Sequence, residues 1–231
     1  MTIAYRDRSS GTQSGITSVM YRAPVTVGAG DAIVWATACK YPPVTPPAPT
    51  GLSLIAHAVA VAGGAAGADT GNVTASAFFR EANGTEDAAT ETISVPDGNS
   101  IISRSVAYSR SGGTGWAIAS AAGEQTTSSN TWDVTTGSID LAAGDMLLIC
   151  TAKNSDNDLT HSGHTVTATG ITFGSPVQRM APVGTTNGDD CALEIVEVPV
   201  TAGSGSVAWR RPNWWSRARS TPSSRTARTT T

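Results

Sequence analysis

Apolar and polar positions alternate along much of this chain with a period of two. Across 72–80, Val73, Ala75, Ala77 and Phe79 share one face, while Thr74, Ser76, Phe78 and Arg80 share the other. Successive side chains of an extended strand point to opposite sides, so this segment predicts a strand with one side against a core. Across 164–174 the apolar set is His164, Val166 and Ala168 up to Gly170, and then switches to Ile171 and Phe173. A parity change at glycine predicts a bulge or a bend from one strand into the next. A similar switch separates Cys191, Leu193 and Ile195 from Val196 and Val198. Further strands are predicted at 25–27, 92–95, 102–108, 116–119 and 131–135. Turn phrases such as Asp97-Gly98, Gly112-Gly113 and Asn187-Gly188 stand between strands and supply the positive φ angles of tight connections.

One phrase occurs twice. Ala29-Gly30-Asp31-Ala32-Ile33-Val34-Trp35-Ala36-Thr37-Ala38 returns as Ala143-Gly144-Asp145-Met146-Leu147-Leu148-Ile149-Cys150-Thr151-Ala152, 114 positions later (145 minus 31). Gly51-Leu52-Ser53-Leu54-Ile55 and Gly170-Ile171-Thr172-Phe173-Gly174 follow at a similar offset. Two long copies predict two related halves of one sandwich, starting near Val25 and Ile139, rather than a solenoid. The runs 33–36 and 147–150 are the expected central strands of facing sheets, with Trp35 in the core. The fold expected is all-β: an antiparallel β-sandwich of jelly-roll type, spanning 21–207 between an N-terminal arm (1–20) and an irregular C-terminal arm (208–231).

Composition supports this reading. The 231 residues include 24 Gly and 12 Pro but only 14% charged side chains, which suits many short elements and not long surface helices. The stretch Tyr41-Pro42-Pro43-Val44-Thr45-Pro46-Pro47-Ala48-Pro49 reads as a stiff extended connection. Cys39, Cys150 and Cys191 have no zinc spacing and are expected as free, buried thiols. No signal-peptide core or membrane-spanning run is evident, so the chain is expected to be unexported and away from membranes.

Charge is unevenly placed. The net charge is −3, yet six arginines (210, 211, 217, 219, 225, 228) and no acidic residue lie in 209–231, leaving the rest at −9. Trp209, Arg210, Arg211, Trp214, Trp215, Arg217 and Arg219 form a basic, aromatic arm. It reads either as an element that docks on an acidic neighbour or nucleic acid, or as an unselected extension beyond the sandwich.

The two Gly-Asp turns, the proline-rich loop, Gly51-Leu52-Ser53-Leu54-Ile55, Ala75-Ser76-Ala77-Phe78-Phe79 and the approach Gly137-Ser138-Ile139-Asp140-Leu141 carry a resemblance. Over roughly residues 20–205 the chain resembles tailed-bacteriophage virion proteins with a β-sandwich or jelly-roll domain. That family often has Gly-Trp where Gly51-Leu52 stands, and the C-terminal arm does not continue its pattern. The resemblance implies a non-enzymatic structural protein of the virion (fibre, minor tail or capsid-surface decoration), folded in the host cytoplasm and assembled in multiple copies. Its implied partners are other virion proteins and further copies of itself, a trimer being the family's habit, and not nucleic acid.

Catalytic signatures are sparse. No strand-flanked Gly-x-Ser-x-Gly elbow, phosphate loop or His-Glu-x-x-His is present, and no cofactor is expected. Asp156, Asp158 and His161 are the candidate metal ligands. The spacing of Asn154, Asp156 and Asp158 begins like a calcium loop, but Leu159 and Thr165 replace its glycine and glutamate. A solvated polar turn is the competing account. Trp116 and Trp132, beside polar loops, are candidate glycan-stacking residues, the basis of an alternative reading as a carbohydrate-binding module on cell-surface glycans. Asp31 and Asp145 are expected to bond nearby backbone amides, and Glu194 and Glu197 to face solvent.

Overall fold

The computed structural model describes residues 2–10, 13–40, 45–60, 72–96, 100–113, 115–125, 138–153, 164–184, 191–208 and 226–230. Its strands are β1 (Thr2–Arg8), β2 (Gln13–Gly15), β3 (Ser18–Arg22), β4 (Ala32–Lys40), β5 (Ser53–Ala60), β6 (Val73–Glu81), β7 (Thr90–Ser94), β8 (Ser100–Ser111), β9 (Ala121–Gln125), β10 (Ser138–Ala142), β11 (Met146–Lys153), β12 (Ile171–Phe173), β13 (Val177–Gly184), β14 (Ala192–Ala208) and β15 (Thr226–Thr230). No helix occurs among the described residues, and every strand pairing is antiparallel.

The first sheet has the order β1-β8-β4-β6-β5, with β2 also on β8. The second has the order β10-β14-β11-β15-β9, with β12 and β13 also on β14, and β3 and β7 form a separate two-stranded sheet. The arrangement is all-β and sandwich-like. Both expected central strands are interior to their sheets: β4 lies between β8 and β6, and β11 between β14 and β15.

Cover on both faces explains why β4 is buried at every position and β11 at every position after Met146. Val34, Ala36 and Ala38 of β4 point between the sheets, where they share one cluster with Ile102, Val106, Leu148, Cys150, Ala152, Leu193 and Ile195. Their odd-numbered neighbours Trp35 and Cys39 point the other way, into a cluster with Val19, Tyr21, Phe78, Ile93 and Val95 under the two-stranded β3–β7 sheet. Trp35 is therefore core, as expected, but it belongs to the outer layer. Ser103 and Ser105 on that face donate to the carbonyls of Met20 and Arg22 and fasten β3 over β8. The second sheet is covered in the same way: Leu147, Ile149, Val196 and Val198 pack beneath Ile139, Leu141, Val166, Ile171 and Val207. Each fully buried aliphatic side chain contributes about 1.5–3 kcal/mol, so these outer layers are a large part of the stability.

Several expectations change. The N-terminal segment is not a free arm through residue 20: β1 pairs along β8, and Ile3 and Tyr5 pack against the inter-sheet core. Residues 226–230 of the expected irregular arm form β15 between β11 and β9. The segment 25–27 is a loop, because side chains take its amides: Asp7 accepts from Thr26 at 2.8 Å and Asp87 from Val27 at 2.6 Å. Residues 116–119 run as a strap outside the strands. The switch at Gly170 is a tight turn, with Ala168 bridged to Ile171 and Gly170 at φ 79°. No switch occurs in β14: its two apolar sets are opposite faces of one strand, each buried by a different layer. The segment 131–135 lies outside the described residues.

Candidate functional site

The two Gly-Asp turns stand at the starts of β4 and β11. In the first, the Asp31 amide donates to the Gly28 carbonyl at 3.1 Å, and Gly28 donates back to Asp31 Oδ2 at 2.6 Å. In the second, Asp145 donates to the Ala142 carbonyl at 3.0 Å, and Ala142 donates back to Asp145 Oδ2 at 2.8 Å. Each turn is also clasped to a partner strand. Gly30 donates to Ala82, whose amide donates to Asp31; Gly144 donates to Val200, whose amide donates to Asp145. Gly30 and Gly144 take φ of 82° and 95°, a region that strains any side chain with a Cβ. The sequence thus yields a reciprocal clasp in which the aspartates serve the backbone.

Beside these turns lies a cleft of about 250 Å³ with a mainly apolar lining, including Val34, Leu141, Met146, Leu148 and Ile118, with Asp140 and Asp145 among its walls. The strap 115–120 borders it. Trp116 fixes the strap at one end, donating its indole N–H to the Gly30 carbonyl at 2.8 Å, while the Arg110 guanidinium lies 5.5 Å from the centre of its ring. Ser120 fixes the other end by donating to the Ile55 carbonyl. Trp116 is therefore placed in the cleft wall with its polar edge and one face already engaged by the fold.

Glu194 and Glu197 do not face solvent; they are 1% and 4% exposed, so the expectation is corrected. Apolar cover forces partners upon them. Glu194 accepts from Thr151 Oγ1 at 3.2 Å and from Gln178 Nε2, and it pairs with His164 Nε2 at 2.8 Å. Glu197 pairs with Arg179, whose guanidinium stacks 3.9 Å from the Tyr5 ring centre, and Tyr5 meets Tyr108 edge-on. Burial and the neighbouring Glu197 hold the Tyr108 hydroxyl well above its usual range. This seam closes the open margin between β1 and β13, and Arg8 reinforces it by donating to the Arg179 carbonyl at 2.8 Å.

Sequence reasoning missed two further polar groups. Glu86 accepts the amides of Asn83, Gly84 and Thr85 and pairs with Arg80 at 2.6 Å. Burial pushes its carboxyl up, but the Asn83 and Gly84 amides and the Arg80 guanidinium outweigh this and leave it below the usual range. His57 sits opposite Ser76 on the adjacent strand, with Nδ1 and Oγ 3.0 Å apart, and burial lowers its pKa. A Glu two residues after a turn glycine was the signal for the first; the cross-strand register needed for the second is not legible from one segment.

All three cysteines are buried thiols outside any disulfide. Burial raises the Cys39 thiol to about 12. Among the described residues, no group of three or more His, Cys, Asp or Glu is gathered to hold a metal. Trp132, the metal candidates Asp156, Asp158 and His161, and Trp209, Arg210, Arg211, Trp214, Trp215, Arg217 and Arg219 lie outside the described residues.

No family model matches the chain, and neither a curated protein nor a solved structure matches it.

Proposed function

We propose that this chain is a non-enzymatic structural protein of a tailed-bacteriophage virion, a fibre, minor tail or capsid-surface attachment module present in multiple copies. The observation that carries the reading is the paired clasp at Asp31 and Asp145, the residues on which the resemblance rests. Both carboxylates hold turns together, and the buried Glu86, Glu194 and Glu197 are likewise bonded to the fold's own atoms. Such a molecule offers a rigid body whose rims and loops make contacts, and many weak contacts add through avidity.

The finer architecture in this proposal is a jelly-roll-type sandwich of two related halves. Its support is the matched pairing order. β4 pairs with β6, which pairs with β5; β11 pairs with β14, which pairs with β12 and β13. The strand pair β3–β7 lies over Trp35, as β10 with the end of β14 lies over Ile149, 114 positions later (149 minus 35).

The test is location. Particles purified from cells that make this protein should carry it in several copies each, detected by gold-labelled antibody on intact virions. Its absence from particles, with the protein left wholly in the soluble fraction, contradicts the proposal.

A further inference from the structure

Asp31 and Asp145 occupy the same turn but have different company. Asp31 Oδ2 takes both the Gly28 amide and Arg6 Nε, the latter at 2.8 Å, and the residue is 5% exposed. Asp145 Oδ2 takes the Ala142 amide, and among the described residues no cation pairs with it. Asp145 is among the residues that line the cleft, with Asp140 as a second acidic residue in its wall. The rest of the lining is mainly apolar, and Ile118 at the strap is 42% exposed. An occupant that satisfies both features brings an aromatic or aliphatic group for the floor and a guanidinium for the acid, the counterpart of Arg6 at the other turn.

The chain itself contains a stretch with that chemistry. Residues 209–219 hold three tryptophans, four arginines and no acid. Strand β14 ends at Ala208 opposite Ser138, and its preceding residue, Val207, pairs with Ile139 in the cleft wall. Strand β14 therefore ends beside the cleft, and a short tether from that point gives an effective concentration in the millimolar range. We propose that residues 209–219 dock into the cleft of their own chain, one indole seated on the apolar floor and one arginine paired with Asp145.

Nuclear Overhauser spectroscopy on the full-length labelled chain tests this, with single Trp→Phe variants at 209, 214 and 215 assigning the indoles. The expected result is cross-peaks from at least one of these indoles to methyl groups of Ile118, Leu141 or Met146. They should persist when labelled chain is diluted into unlabelled chain. Asp145→Asn keeps an acceptor for the Ala142 amide but removes the charge, and should cut those cross-peaks by more than half. Absence of cross-peaks in the unsubstituted chain overturns the proposal. So does their appearance solely between different copies, or intensity unchanged in Asp145→Asn.

Discussion

Asp31 and Asp145 each exchange two hydrogen bonds with the residue three positions earlier, one through the backbone amide and one through the carboxylate. Both turns then lock onto the strand that pairs with β4 or β11, at Ala82 and Val200. The first carboxylate is buried and salt-bridged to Arg6, whereas the second is partly open.

Substitution should expose that difference. Asp31→Ala leaves the Gly28 amide and Arg6 without their acceptor and should cost about 1–3 kcal/mol. Asp145→Ala, where water can replace the acceptor, should cost about 0.5–1.5 kcal/mol. Equilibrium urea unfolding measures both, and equal losses would contradict the unequal burial.

Glu197 bears on the seam between β1 and β13. Glu197→Ala strands Arg179 against the Tyr5 ring and should cost about 3 kcal/mol, as removing one partner of a buried pair does. Glu197→Ala with Arg179→Met should recover part of that loss. Thermal unfolding of these two variants and of Arg179→Met alone gives the coupling, and additive losses would show that the pair is not coupled.

Acid should weaken the fold partly through Glu86. Its folded pKa lies below that of the unfolded chain, so its contribution is complete above the unfolded value, about 4.3, and is lost as pH falls through the folded value. Glu86→Gln should be less stable than the parent at pH 7, and the gap should shrink below pH 4. Denaturation midpoints across pH 2–7 check this; a constant gap would contradict it.

The thiols should be silent in the folded state. Cys39, Cys150 and Cys191 are buried, and a Cys39 thiol with a pKa of about 12 carries almost no thiolate at neutral pH. A thiol-reactive dye should label none of the three in native protein within minutes and all of them in denaturant. Fast native labelling would place at least one at the surface.

How much of this was legible follows from what a single segment encodes. The Gly-Asp turns and the buried thiols are local patterns and read correctly, whereas β6 reads only in part: Val73 and Ala75 do join the inter-sheet cluster, but Thr74, Ser76 and Phe78 on its other side are buried as well. Burial on both sides of a strand is not local. Glu194 and Glu197 look like solvent charges until β13 and the 164–168 segment are packed against β14, and Tyr5 looks like part of an arm until Arg179 stacks on it. The loop at 25–27 misled because its valines fit a strand while its amides are taken by Asp7 and Asp87, which lie far away in sequence. The cleft was invisible for the same reason, since β4, β10, β11 and the strap each supply part of it.

Residue-resolved hydrogen exchange at the Val34 and Leu148 amides tests most directly whether β4 and β11, one from each sheet, share an interior. Both side chains lie in the same inter-sheet cluster. The account predicts that both amides exchange only through global unfolding, with opening free energies that agree and that equal the stability from urea denaturation. If one exchanges through an opening that leaves the other protected, the sheets are independent units and the shared core is contradicted.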